Sequence, residues 1–219
     1  MEYIISPAAE GDAAGLLAVY GQYIETPITF EETLPDEAAF RERIRTTMRR
    51  YPYLVARACG APDSSRHAGS DGADTVWTTN GEQRADTSDA AQTVCGAPIA
   101  YAYAGPFARR ASYRWSVEFS VYIAREHTGR GLGRRLYGEL LRLLAAQGYR
   151  TAYGIVTAGN PASDGLHRAM GFAEAGRVHR AGYKNGWRDV IYYEKPLGAY
   201  DDNSPPREPD GAWRRYLTP

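Results

Sequence analysis

Val117-Glu118-Phe119-Ser120-Val121-Tyr122-Ile123 runs almost directly into Thr128-Gly129-Arg130-Gly131-Leu132-Gly133-Arg134. The first run alternates and is β-branched, as in a strand. The second is a glycine-rich turn, and Leu132, Leu136, Leu140, Leu143 and Leu144 then repeat at helical spacing up to Gly148, a natural stop. Strand, glycine turn and amphipathic helix in that order build a cradle for a pyrophosphate. Backbone N–H groups and the positive end of the helix dipole meet where glycine leaves the chain uncovered. Arg130, Arg134 and Arg135 add full charges, and Glu118 stands on the strand leading in.

The turn reads poorly as a nucleotide-triphosphate loop, because Arg134-Arg135 follows Gly133 where Lys-Ser or Lys-Thr is required. It is a poor dinucleotide loop, because it lies past mid-chain and the next strand ends without an acid. Coenzyme A is the third candidate, and a glycine-rich turn by itself can equally be a structural helix entry.

Working outward, Tyr3 to Ser6 reads as a strand. Asp12 reads as the cap of a helix carrying Leu16, Leu17, Val19, Tyr20 and Tyr23, which ends near Pro27. Asp36 caps a second helix through about Arg50, and Tyr51 to Ala56 is a strand. Residues 60–93 are rich in Gly, Ser, Asp and Pro, without period, and are expected to form a mobile hairpin insertion with Trp77 as its large apolar anchor. Strands resume at Pro98–Tyr103, Tyr113–Ile123 and Tyr149–Val156. A short helix starts at Asn160 or Ser163, and strands Val178–Tyr183 and Val190–Glu194 flank a Lys184-Asn185-Gly186 turn. Residues 1–197 are thus expected to form one domain, and the Pro-, Asp- and Arg-rich tail 198–219 to be disordered or loosely docked.

The 219 residues carry 26 basic and 26 acidic side chains, a balance that offers nothing to nucleic acid or an anionic membrane. No window approaches the roughly 18 apolar residues of a membrane span, and the N-terminus does not read as a signal peptide. The default is a cytoplasmic enzyme. Cys59 and Cys95 have no metal spacing, and no metal is expected. The two strands they flank can be hairpin partners, so a cross-strand disulfide is geometrically allowed, but free thiols are the expectation for a reducing compartment.

Beyond the glycine turn, several separate segments carry a resemblance. They are Tyr23–Phe30, Arg50–Ala56, Ala102–Phe107, Tyr113–Glu118, Leu166–Phe172 and Tyr183–Val190, in that order. Through them the chain resembles the GNAT superfamily of acyl-CoA-dependent N-acetyltransferases, and within it the phosphinothricin and methionine sulfone or sulfoximine acetyltransferases. The departures are Thr128, where the pyrophosphate loop usually has Arg or Gln, the 60–93 insertion and the tail.

The resemblance implies an α/β fold: a mixed, twisted central sheet flanked by helices, with two parallel strands splayed to admit the pantetheine arm. It implies acetyl-CoA as cosubstrate and a homodimer with acceptor sites near the interface. It also implies transfer to the α-amino group of a small amino acid or analogue, by direct attack in a ternary complex. Glu118 becomes the general base, and His167 either donates a proton to the departing thiolate or assists Glu118. The cofactor set is Val121, Tyr122 and Ile123 on the strand, Gly129, Arg130, Gly131, Leu132, Gly133 and Arg134 at the turn, and Asn160 and Ser163 beside the pantetheine. Phe30, Arg110 and Tyr113 line the acceptor pocket. Arg109, Arg110 and Arg114 leave that loop without an acid, which favours an anionic acceptor. The rivals are another amine (a polyamine, an aminoglycoside or a protein N-terminus) and a non-catalytic acyl-CoA-binding module.

Overall fold

The computed structural model describes residues 2–60, 94–201 and 203–217. Most of the expected insertion, including Trp77, lies outside them. The described chain runs β1 (Glu2–Pro7), α1 (Ala13–Gly21), α2 (Glu37–Met48), β2 (Tyr53–Gly60), β3 (Val94–Pro106), β4 (Ser116–Ile123), α3 (Leu132–Gln147), β5 (Thr151–Thr157), α4 (Pro161–Ala169), β6 (Ala173–Tyr183) and β7 (Trp187–Pro196). The strands form one seven-stranded sheet in the order β1-β2-β3-β4-β5-β7-β6. Every neighbouring pair is antiparallel except β4 and β5. This is the mixed α/β sheet that the sequence predicts.

Strand alternation sorts side chains onto two faces. Ala100, Ala102 and Ala104 of β3 and Val117 and Phe119 of β4 bury against the leucine stripe of α3, where Leu136, Leu140, Leu143 and Leu144 are each fully buried. Three alanines in alternate positions let that helix lie close to the sheet. Tyr101 of β3 and Tyr53 and Val55 of β2 point the other way, onto Leu16, Tyr20, Phe40 and Ile44 of α1 and α2. Each fully buried leucine contributes about 1.5–3 kcal/mol.

The local expectations hold in part. Asp36 caps α2 by accepting from the Ala39 N–H at 2.7 Å. Asp12 does not cap α1; its carboxylate accepts from the Ala9 N–H and pairs with Arg57. Residues 111–113 form a 3-10 turn, so β4 begins at Ser116 rather than Tyr113. The cysteines, expected to be free, form a disulfide. Register shifts between Ala56 and Arg57 and between Arg57 and Cys59 bring Cys59 directly opposite Cys95, with Cα atoms 4.2 Å apart.

The tail is seated rather than loosely docked. Trp213 is 1% exposed, and its indole N–H donates to the Met48 carbonyl at 3.0 Å. Gln147 donates to the carbonyls of both Arg50 and Asp210. Glu208 accepts from Arg114 at 2.8 Å, and the Trp115 indole donates to the Arg207 carbonyl.

Candidate active site

β4 and β5 pair from Ser116↔Thr151 to Phe119↔Gly154 and no further. Beyond that point β4 stays with β3 as far as Ile123, and β5 stays with β7 as far as Thr157. The sheet therefore opens in a V between β4 and β5, the only parallel neighbours among the described residues. The Ala124 N–H donates to the Ile99 carbonyl on the β3 side. Alternation then turns the N–H groups of Val121 and Ile123 into the gap, where β5 no longer reaches them.

A cavity of about 650 Å³ fills this opening. On the α3/α4 face Phe119, Val121, Ile123, Tyr137 and His167 line it; on the α1/α2 face Tyr23, Ile28, Ser120, Tyr122 and Ile155 do. The cavity is thus a slot between the parted strands, lined from both faces of the sheet.

The glycine turn forms one end of the slot. Gly129 and Gly131 have φ of +72° and +76°, a backbone that L side chains rarely adopt. Gly133 is close-packed instead: a Cβ there would stand 3.1 Å from the Leu166 side chain and 3.3 Å from that of Ile123. No side chain caps α3, so its first-turn N–H groups are offered to a ligand. Arg134 lines the cavity, whereas Arg130 is exposed and its guanidinium approaches the Tyr3 hydroxyl at 3.5 Å. Leu132 is buried in the core, so only its backbone serves this end. The Thr128 hydroxyl turns back to the Arg125 carbonyl at 2.8 Å.

Across the slot, Asn160 caps α4 by accepting from the Ser163 N–H at 3.2 Å. Both residues line the cavity. On the other wall the Tyr23 hydroxyl donates to the Ile123 carbonyl at 2.5 Å, tying the segment after α1 to the end of β4.

Glu118 lies one residue before the strands part, half-buried, just outside the cavity wall and on the α1/α2 face with Ser120 and Tyr122. Burial pushes its carboxyl above the usual carboxylate range. Among the described residues no cation pairs with it, since neighbouring Arg114 is bound to Glu208. Its antiparallel partner is Gly105, whose missing side chain leaves open space, and its parallel partner is Tyr153. Phe107 stacks on Tyr153 at 4.1 Å and meets Tyr113 edge-on at 5.9 Å. His167 lies on the opposite face, 2% exposed, and burial lowers its pKa below the usual imidazole value.

Phe30, Arg110 and Tyr113 do not line the slot. Phe30 instead packs over Gly182 of β6, where a Cβ would stand 2.5 Å from the ring. Lys184 caps this contact by donating to the carbonyls of Thr29, at 2.9 Å, and Glu31. Its ammonium is thereby committed to backbone. The β6–β7 turn clasps the segment between α1 and α2, which brings Ile28 to the slot. The lining residues Tyr23, Ile28, Ser120 and Tyr137 were not among the sequence candidates. Tyr23 and Ile28 lie in the first segment of the resemblance, Ser120 stands on the strand leading into the glycine turn, and Tyr137 is the one aromatic beside the α3 stripe. Among the described residues no cluster of His, Cys, Asp and Glu could hold a metal, and no helix is long and apolar enough to cross a membrane.

Residues 65–172 match the acetyltransferase (GNAT) family. The chain is 32% identical to a phosphinothricin N-acetyltransferase of Streptomyces coelicolor over 90% of its own length and 97% of the relative's. It is 30% identical to an L-methionine sulfoximine/L-methionine sulfone acetyltransferase of Pseudomonas aeruginosa, covering 90% and 96%. The crystal structure of a GNAT superfamily phosphinothricin acetyltransferase from Sinorhizobium meliloti, in complex with AcCoA, superposes with a TM-score of 0.73 at 30% identity, covering 95% of each chain. Splayed strands, an uncapped helix start after a glycine turn and near-complete relatives lead to one conclusion: the chain belongs to the GNAT family and is an N-acetyltransferase.

Proposed function

We propose that the chain transfers acetyl from acetyl-CoA to the α-amino group of a small anionic amino acid or analogue, of the phosphinothricin or methionine sulfone type. The observation that carries this reading is Glu118: a half-buried carboxylate without a cation partner among the described residues, placed where β4 and β5 separate.

The slot fits the cosubstrate. The first turn of α3 and Arg134 would hold the pyrophosphate, and Asn160 and Ser163 would flank the pantetheine opposite the β4 N–H groups. Bound there, acetyl-CoA supplies the activated acyl group. The acceptor enters from the α1/α2 face, beside Glu118 and the open space over Gly105. An amine is mostly protonated at neutral pH, so Glu118 takes its proton, directly or through a water. The N–H groups of Val121 and Ile123 stabilise the negative charge that develops on the carbonyl oxygen under attack. The neutral amine attacks the thioester carbonyl directly, since both cysteines are joined in a disulfide away from the slot; as the C–N bond forms the C–S bond would break and coenzyme A would leave as its thiolate. Arg109 and Arg110 favour an anionic acceptor, and Phe30, Ile28 and Tyr113 offer apolar surface. The chain acts as a homodimer, a reading supported by exposed Val178, Tyr183 and Trp187 on the β6–β7 hairpin.

The test is acetyl-CoA-dependent thiol release with phosphinothricin, methionine sulfone, common amino acids, spermidine and a short peptide. Turnover on the first two, reduced about 10²- to 10⁴-fold in Glu118→Gln, is expected. Faster turnover of spermidine or the peptide would overturn the acceptor reading, and an active Glu118→Gln would overturn the base.

A further inference from the structure

Gly154 is the last residue of β5 paired to β4, and the His167 ring lies over it. A Cβ at residue 154 would stand 2.0 Å from Nε2 and 2.6 Å from Cδ2 of that ring. The imidazole thus occupies the vertex of the V, filling the place a side chain would take.

Everything around the ring holds it there. Tyr193 stacks on it at 4.9 Å with an interplanar angle of 19°. Phe172, Tyr137 and Phe119 surround it at 5.3, 5.5 and 5.9 Å. Nδ1 lies 2.8 Å from the Ser163 carbonyl, which can only accept, so Nδ1 carries the hydrogen. The lone pair of Nε2 then faces the Tyr137 hydroxyl at 3.5 Å. Among the described residues the charged groups nearby are Asp164, whose carboxylate accepts from the Tyr193 hydroxyl, Arg168, which also approaches that hydroxyl, and Lys195, which lies over the far ring of Phe172. Burial favours the neutral imidazole, which offers no proton at Nε2. The Nδ1–H bond also ties down the first turn of α4, where Asn160 and Ser163 line the slot.

We propose that His167 is a positioning residue: its ring, wedged over Gly154, holds the vertex of the slot open and fixes the α4 turn that flanks acetyl-CoA, and it carries no proton during transfer. The proposal rests on acetyl-CoA occupying the slot and is independent of which amine is acetylated.

Three variants test it, read by calorimetric binding of coenzyme A and by the pH dependence of kcat. His167→Asn keeps a donor for the Ser163 carbonyl and cannot titrate; it should bind coenzyme A within about threefold of wild type and keep the wild-type pH profile. His167→Ala empties the wedge and should weaken binding about tenfold, again with an unmoved profile. Gly154→Ala pushes the ring out and should reproduce that weakening. An Asn variant that binds normally but loses about 10²-fold or more in kcat, together with one limb of the profile, would make His167 a proton carrier and overturn the proposal. Unchanged coenzyme A binding in His167→Ala would do the same. If Gly154→Ala does not fold, the two His167 variants decide. The binding arm needs no acceptor, so failure of the amino-acid reading would leave it intact.

Discussion

Replacing Lys184 by Met should impair the acceptor without touching the cosubstrate. The ammonium donates to the carbonyls of Thr29 and Glu31, and these two bonds, with the Phe30–Gly182 contact, seat the segment that carries Ile28 to the slot. A hydrogen bond to a charged group is worth roughly 1.5–3 kcal/mol net, and water can replace part of it where the donor is half-exposed. Discounted by half for that replacement, the two bonds together contribute about 1.5 kcal/mol, which corresponds to about a tenfold drop in the equilibrium constant for seating the segment. Acceptor KM should therefore rise about tenfold. Coenzyme A affinity should hold, because the β4 N–H groups and the α3 turn do not depend on this clasp. Steady-state kinetics with each substrate varied in turn, plus calorimetry for coenzyme A, make the comparison. Lys184→Arg still reaches both carbonyls and should recover most of the loss. Gly182→Ala displaces Phe30 without changing charge and should copy the Lys184→Met pattern. An unchanged acceptor KM in Lys184→Met, or a loss in coenzyme A affinity as large as the loss in acceptor, refutes the reasoning. A normal Gly182→Ala beside an impaired Lys184→Met would instead mean that the ammonium meets the acceptor itself.

Burial raises the Glu118 pKa, so the acid limb of kcat/KM should fall above the usual carboxylate range and vanish in Glu118→Gln, as read from a pH–rate profile. The same shift has a stability sign: a carboxyl whose pKa is raised by folding loses its contribution as pH rises through the folded value. Glu118→Gln should therefore melt higher than wild type at pH 7.5, with the gap closing toward pH 4, while losing activity. Leu140→Ala, at a fully buried position of the α3 stripe, should cost about 2–5 kcal/mol in denaturant unfolding. Trp213→Ala should destabilise the domain by about 3–5 kcal/mol if the tail belongs to the core, whereas an unchanged melting curve would mark the tail as an appendage. A charge at Trp187, as in Trp187→Glu, should shift the sedimentation of a homodimer toward monomer if the β6–β7 hairpin is its interface.

The pattern around the slot was legible because it is local. The β-branched run, the glycine turn and the leucine stripe each announce their element, and the match of β4 to β5 follows from the helix between them. Asn160 capping α4 was readable for the same reason. What escaped depends on partners distant in sequence. Asp12 has the chemistry of a cap, but Arg57 on β2 claims it. Ala173 to Arg177 show no alternation because β6 is an edge strand exposed on both faces, so no periodicity marks the strand's true start. Trp213 lies in a stretch whose composition reads as disordered, and one buried indole outweighs that composition. Ile28 reaches the slot only because a hairpin more than a hundred residues away grips its neighbours.

The Cys59–Cys95 bridge spans the root of the segment that departs most from the sequence pattern. Covalently, it makes the backbone between those two residues redundant. A protease that cuts once there, for example trypsin at Arg66 or Arg84, leaves two fragments that still migrate as a single chain until a reductant is added. The 36-residue separation thus forms a covalently closed ring, so a single cut within it does not sever β2 from β3. Two segments of the sheet that lie far apart along the chain are thereby joined twice, once through the peptide backbone and once through sulfur.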